Sequence, residues 1–192
     1  KKVVKFNDGW IQMIQDNMVS ILGWIKYEKV KWLQNNNPEV PGIVYKLAQD
    51  DEKARKLDNV RKLWDAILEI RPVKNVFMDG DINRESYAVD HFIPRNFVMN
   101  DELWNLMPMD PIQNMKKNKK LPVWENYFGQ FANNQFMMYE MIFEKPELLK
   151  LYKQCYKDNL HSIWAIQELY RKGNSADEFR NILDKNMHPV YD

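Results

Sequence analysis

Residues 87–122 read YAVDHFIPRNFVMNDELWNLMPMDPIQNMKKNKKLP, and this stretch decides the fold. Its opening, residues 86–93, is rich in β-formers and predicts an extended piece. Pro94 ends that piece, because proline cannot continue a central sheet. Asp90 and His91 are neighbours on it, so their side chains point to opposite faces unless the strand bends or ends there. Residues 95–104 predict a loop with one short turn at Asp101-Glu102-Leu103, and residues 106–109 a second strand pairing back on the first. Asp110-Pro111 then supplies an N-cap and a proline at the first helical position. The helix that follows carries Asn114, Lys116 and Lys117 before Pro122 closes the unit.

The side chains in this stretch suit one kind of chemistry. A carboxylate from Asp90 and an amide oxygen from Asn114 are hard donors of the type Mg²⁺ takes, and Mg²⁺ keeps several waters and needs few protein ligands. His91 beside them is mostly neutral at pH 7, with an ordinary pKa of about 6.5, and can act as a general base. Lys116, Lys117, Lys119 and Lys120 occupy four of five consecutive positions, the densest positive cluster in the chain. Together these groups can hold a cation, activate a water and grip a phosphate. Spacing alone does not single this reading out, since Asp-His pairs and Asn-Lys helices are common.

On either side the sequence is helical. Residues 8–34 predict one helix, N-capped by Asp8 and stopped by Asn35-Asn36-Asn37-Pro38. Its stripe of Ile11, Ile14, Met18, Ile21, Ile25 and Trp32, widened by Trp10, Leu22 and Trp24, is expected to be buried against other helices. An irregular connector follows at residues 38–42, then a short segment at 43–47. A helix is expected over residues 51–70, with Ala54, Leu57, Val60, Trp64, Ile67 and Leu68 inward and Arg71-Pro72 ending it. For its basic side, Lys53, Arg55, Lys56, Arg61 and Lys62, a solvated face and contact with a polyanion both stay open. Residues 74–77 predict a short strand before an Asp79-Gly80 turn. After Pro122, helices are expected at 124–143, 147–159 and 160–171. A last one opens at Ser175, with Glu178 three residues on as in a capping box.

Composition bounds the rest. A chain of 192 residues, 45% apolar and carrying seven Trp, nine Tyr and nine Phe, has enough material for a real core. Charges nearly cancel at a formal +1, which excludes a whole-chain basic footprint and requires any phosphate-binding surface to be local. One cysteine, Cys155, excludes an internal disulfide and a Cys-only zinc site. It is expected to be buried and inert, in a chain at home in a reducing cytoplasm. Charges interrupt every apolar run before it could cross a bilayer. His161 and His188 are expected at the surface or as caps, and the Met-rich residues 136–141 as core. With Lys1 first, the expectation is a piece of a longer protein.

Taken in order, VDHFIP, DELWNLMP and NMKKNKKLP resemble the HNH nucleases, also called ββα-metal or His-Me finger nucleases. The resemblance is to the subgroup without zinc-binding cysteines. It is close over residues 87–122 and looser over IKYEKVKWLQNNNPEVPGI (residues 25–43) and the C-terminal tail. It implies an α+β, mostly helical fold: a central ββα-metal finger (74–122) between helical regions at 1–73 and 123–192, all in one nuclease domain. By the same resemblance His91 is the general base, Asp90 and Asn114 are the ligands of Mg²⁺ or Mn²⁺, and no structural zinc is expected. Asn105 belongs to the catalytic constellation as the residue that ties the inter-strand loop and orients the base. Lys117 would contact phosphate, with Lys116, Lys119 and Lys120 beside it. Arg95 and Asn96 depart from the Trp-Ser usual in relatives, and Arg95 faces either solvent or the scissile phosphate. The implied activity is endonucleolytic cleavage of DNA, with a role in restriction or phage defence and a homodimer or further domains supplying specificity. A catalytically silent nucleic-acid-binding module, and an RNA-directed or toxin nuclease, are the alternatives.

Overall fold

The computed structural model of the protein describes residues 5–37, 56–98 and 100–191. Its elements begin with two helices where the sequence predicts one: α1 (Asp8–Asp16) and α2 (Met18–Asn35). Asn17 makes the break. Its side-chain amide donates to the Met13 carbonyl at 2.9 Å, and its backbone sits at φ −108°, ψ 13°. Asparagine interrupts helices in just this way, by offering the backbone a competing partner. The N-cap is Asn7 rather than Asp8, its side chain accepting from the Trp10 amide at 3.3 Å.

The expected burial of the N-terminal stripe is also corrected. Trp10, Ile11, Met18, Leu22, Trp24, Ile25 and Trp32 are exposed, Trp24 at 65%. Full burial begins only at Leu33 and Asn37, so α2 docks on the body through its C-terminal end.

The connector at 38–42, the segment at 43–47 and residues 51–55 lie outside the described residues, Ala54, Lys53 and Arg55 among them. The following helix, α3 (Asp58–Ile70), starts later than the sequence suggests and buries Val60, Leu63, Trp64 and Ile67. Two residues of its basic side brace the fold. Lys56 pairs with Asp158 at 2.8 Å, and the Arg61 guanidinium lies 5.1 Å over the Tyr87 ring. The predicted strand at 74–77 is reduced to one bridge, Lys74 to Asp81, around a turn in which Gly80 takes φ 101°. A positive φ of that size is glycine territory.

Two antiparallel strands follow, β1 (Ala88–His91) and β2 (Leu106–Met109), with Ala88 opposite Met109 and His91 opposite Leu106. Between them the predicted loop contains a one-turn helix, α4 (Arg95–Val98), and a 3₁₀ turn at Leu103–Asn105, two residues later than the turn expected at 101–103. The finger helix α5 (Pro111–Lys117) opens as predicted, with Asp110 accepting from the amides of Ile112 and Gln113. It ends five residues before Pro122, where Asn118 turns to φ 49°.

Helices α6 (Trp124–Glu144), α7 (Pro146–Asn159) and α8 (Ala176–Met187) form the C-terminal part. The helix expected over 160–171 is instead a π-helical turn, Ala165–Leu169, closed by the Tyr170 amide on the Ala165 carbonyl at 2.8 Å. Residues 160–162 stay outside it, and there the amides of His161 and Ser162 donate to the Glu102 carboxylate.

The protein is thus α+β and mostly helical, with a single small sheet among the described residues. Its core joins the parts. Phe92 stacks on Phe131 at 4.3 Å, and Gln135 of α6 donates to the Leu106 carbonyl at 2.9 Å, so β1 and β2 are locked against α6. No helix among the described residues is long and apolar enough to cross a membrane.

Candidate active site

β1 ends at the site, which resolves the neighbour problem of Asp90 and His91. Along the strand the two alternate: Asp90 is half-buried toward a cleft and His91 is turned inward, 1% exposed. Because the chain bends immediately after His91, the ring comes back within reach of its neighbour's carboxylate. Asp90 Oδ1 lies 3.3 Å from His91 Nδ1, while Oδ2 lies 3.7 Å from Lys117 Nζ. Burial pushes the Asp90 carboxyl up, but the His91 hydrogen bonds and the Lys117 charge outweigh it and hold the group at about 2.

The other ring nitrogen of His91 faces two oxygens. Nε2 is 2.8 Å from the Asn100 carbonyl and 3.1 Å from Asp101 Oδ1. Neither oxygen can donate, so Nε2 carries a proton; Nδ1 likewise faces an acceptor, the ionised Asp90 carboxylate, and is the nitrogen that must give up its proton before the ring can act as a base. Asp101 is a residue the sequence reading assigned only to a turn. The signal for it was its place at the head of the DELWNL motif.

Asn105 bonds back across the loop between the strands. Fully buried, it accepts from the Ile93 amide and donates to the Ile93 carbonyl, both at 2.8 Å, while its own carbonyl takes the Phe92 amide at 2.9 Å. These three bonds pin the chain just past His91 to the start of β2. The Asn105 side chain is thus spent on the backbone next to the His91 ring.

Glu102 anchors the same loop from the other side. Its carboxylate, wholly buried, accepts from the amides of His161 and Ser162 and from the Trp104 indole, and His161 Nδ1 lies 3.1 Å away. His161 is thus part of a staple, and His188 stacks on Trp124 at 4.9 Å.

The lysine run divides. Lys117 turns inward, its side chain 6% exposed and its ammonium without a hydrogen bond. Burial pulls that ammonium below the usual lysine range against the raising pull of Asp90. Lys117 and Lys119 line a cleft of about 440 Å³ together with Lys29, Asp90, Arg95 and Asn96. Lys116 and Lys120 line a separate groove of about 240 Å³, beside Phe77 and Tyr127, which Lys117 also borders. Arg95 is half-exposed at the cleft with its Nε 3.8 Å from Asp101. Asn114, half-buried, lies one turn before Lys117 and so on the same side of α5, the side packed toward β1.

Lys29 is the member that sequence reasoning missed, because nothing in the spacing links α2 to the finger. A cleft with four cations around one carboxylate can take a phosphodiester and set it against Asp90.

No curated protein matches the chain. The family model described as HNH endonuclease matches residues 76–123, which span the turn at Gly80, both strands, the loop between them and the finger helix. By that match the central unit of this chain is similar to the HNH endonuclease family, which points to a function of the nuclease type.

Proposed function

We propose that the chain is a divalent-metal-dependent endonuclease that hydrolyses DNA phosphodiester bonds. The observation that carries this reading is the meeting of Asp90, His91 and Lys117 at a cationic cleft inside the HNH-matching unit. Asp90 and Asn114 fit Mg²⁺ or Mn²⁺: both offer hard oxygens, and Asp90 stays ionised down to about pH 2. Among the described residues no group of three or more His, Cys, Asp or Glu converges as a metal cage. A cation here would rest on few protein oxygens and keep much of its water, as Mg²⁺ does. When bound, it supplies charge stabilisation at the phosphoryl and leaving oxygens.

In this mechanism His91 takes the proton of the attacking water on Nδ1, while its Nε2–H stays on Asn100 and Asp101. Asp90 must first turn off the ring, and Lys117 must turn off the carboxylate. Both contacts are loose, at 3.3 Å and 3.7 Å. Once released, Lys117 reaches the phosphate in the cleft it already lines, with Lys119 and Arg95 beside it. Lys116 and Lys120 serve flanking phosphates along the second groove. The regions at 1–73 and 123–192 act with the finger as one nuclease domain.

Nicking of supercoiled plasmid with Mg²⁺ or Mn²⁺ tests the proposal. The parent protein is expected to cut and to stop in EDTA, and His91→Ala to lose about a hundredfold or more, the usual worth of a general base. A folded parent that cuts with no divalent metal ion present or added would end this reading.

One observation favours a second reading, a catalytically silent nucleic-acid-binding module: His91 is buried behind Asp90, and Asp90 is paired to Lys117. A parent that binds DNA and never cuts it would establish that module instead. Competition between DNA and RNA substrates separates a DNA nuclease from an RNA-directed or toxin nuclease. A role in restriction or phage defence follows from the resemblance, and a reducing cytoplasm suits the lone buried Cys155. One finger cuts one strand, so a double-strand break calls for a homodimer or two successive nicks.

A further inference from the structure

The site has one wall that the matched family segment does not contain. Lys29 belongs to α2, far outside residues 76–123, yet it lines the same cleft as Asp90, Arg95 and Lys119. Its position follows from how α2 is docked. Leu33, one turn further along and therefore on the same face, is fully buried. Trp32 meets the Phe97 ring of α4 at 6.3 Å. At the end of the helix the buried Asn37 donates to the Leu33 carbonyl at 2.9 Å and accepts from the Asn100 side chain at 3.1 Å. Asn100 is the residue whose carbonyl holds His91 Nε2. The face of α2 that carries Lys29 is thus tied to the very loop that holds the catalytic ring.

We infer that Lys29 forms a backbone-phosphate subsite beside the scissile position, so that substrate DNA is gripped between α2 and the finger. The inference rests on the nuclease reading for its substrate class, but the chemistry is its own. Asp90 is the one carboxylate among the cleft's lining residues and faces Lys29, Arg95, Lys117 and Lys119, so the cleft attracts a polyanion. Lys117 is engaged with Asp90, and Arg95 approaches Asp101. Lys29 brings positive charge from a different element and so widens the grip beyond one phosphate.

The test measures binding of His91→Ala protein to a fluorescein-labelled DNA duplex in Mg²⁺ across a salt series, alone and with a second substitution. Adding Lys29→Ala is expected to weaken binding several-fold and to flatten the slope of log affinity against log salt by about 0.9, the value of one phosphate contact. Lys29→Arg should restore the slope. Lys31→Ala, about 200° round the helix from Lys29, should leave it unchanged. In the otherwise intact protein Lys29→Ala should raise KM and spare kcat.

An unchanged slope with Lys29→Ala overturns the inference, as does a protein that binds no DNA at low salt. So does a loss that Lys31→Ala reproduces, which would make the effect one of general charge. If the parent never cuts but the Lys29 effect on binding holds, the nuclease reading falls and the subsite stands.

Discussion

At the scale of single residues, two buried side chains hold the loop around the candidate site through bonds to the backbone. Asn105 fixes the turn after His91 through paired bonds to Ile93. Glu102 fixes the loop that supplies Asn100 and Asp101. Burial pushes the Glu102 carboxyl up, but the donors from His161 and Ser162 outweigh it and leave the group below its ordinary range. A carboxylate with a depressed folded pKa stabilises the protein above its unfolded pKa, and that stabilisation is lost as pH falls through the folded value. Glu102→Gln leaves one oxygen for donors that now share two, so it should cost about 1–3 kcal/mol near neutral pH. It should also flatten the fall of stability below the ordinary glutamate range. Urea unfolding at several pH values measures both effects; a variant with the parent's midpoint throughout would mean the staple is idle. Both residues stand in the quoted motif, but their partners at Ile93 and His161 could not be read from it. Hydrogen bonds across 12 and 59 residues are made by the fold.

At the scale of elements, what the sequence announced most clearly were the boundaries with their own local chemistry. The capping box at Ser175 forms as expected, the Ser175 side chain accepting from the Glu178 amide and the Glu178 carboxylate from the Ser175 amide. Ser175→Ala should cost about 1 kcal/mol, the ordinary value of an N-cap. Because α8 buries Phe179, Leu183 and Met187, the cost should appear as a shift in the global unfolding midpoint. Loss of α8 helicity alone, with that midpoint unmoved, would mean the helix is uncoupled from the core. The Asp110-Pro111 start of α5 was legible for the same reason. The errors fell where a distant partner or a side-chain competitor decides. Asn17 splits one expected helix into two, and residues 160–162, expected to open a helix, instead run non-helically past Glu102, which draws in the amides of His161 and Ser162. The stripe of α1 and α2 has the right period for a helix, but period says only which residues share a face. It does not say that anything lies against that face.

For the whole molecule, the core that runs from α3 through the strands to α8 has a reporter in Cys155. The thiol is wholly buried on α7, and burial pushes it up to about 12. In the native protein it should resist alkylation at pH 8, and react only as fast as the molecule opens. Iodoacetamide trapping should give a rate that tracks global unfolding across a urea series; fast labelling without urea would refute the packing around α7. The sequence by itself determined the order of strand, loop, strand and helix, the candidate groups Asp90, His91 and Asn114, and the mostly helical surround. Those features rest on period, caps and residue chemistry, which act over a few positions. Only the tertiary structure decided that Nε2 of His91 rests on Asn100 and Asp101, and that Lys117 lies against Asp90. It also divided the lysines between two grooves and brought Lys29 of α2 to the cleft. Such meetings depend on which faces the core brings together, and a linear spacing carries no record of that.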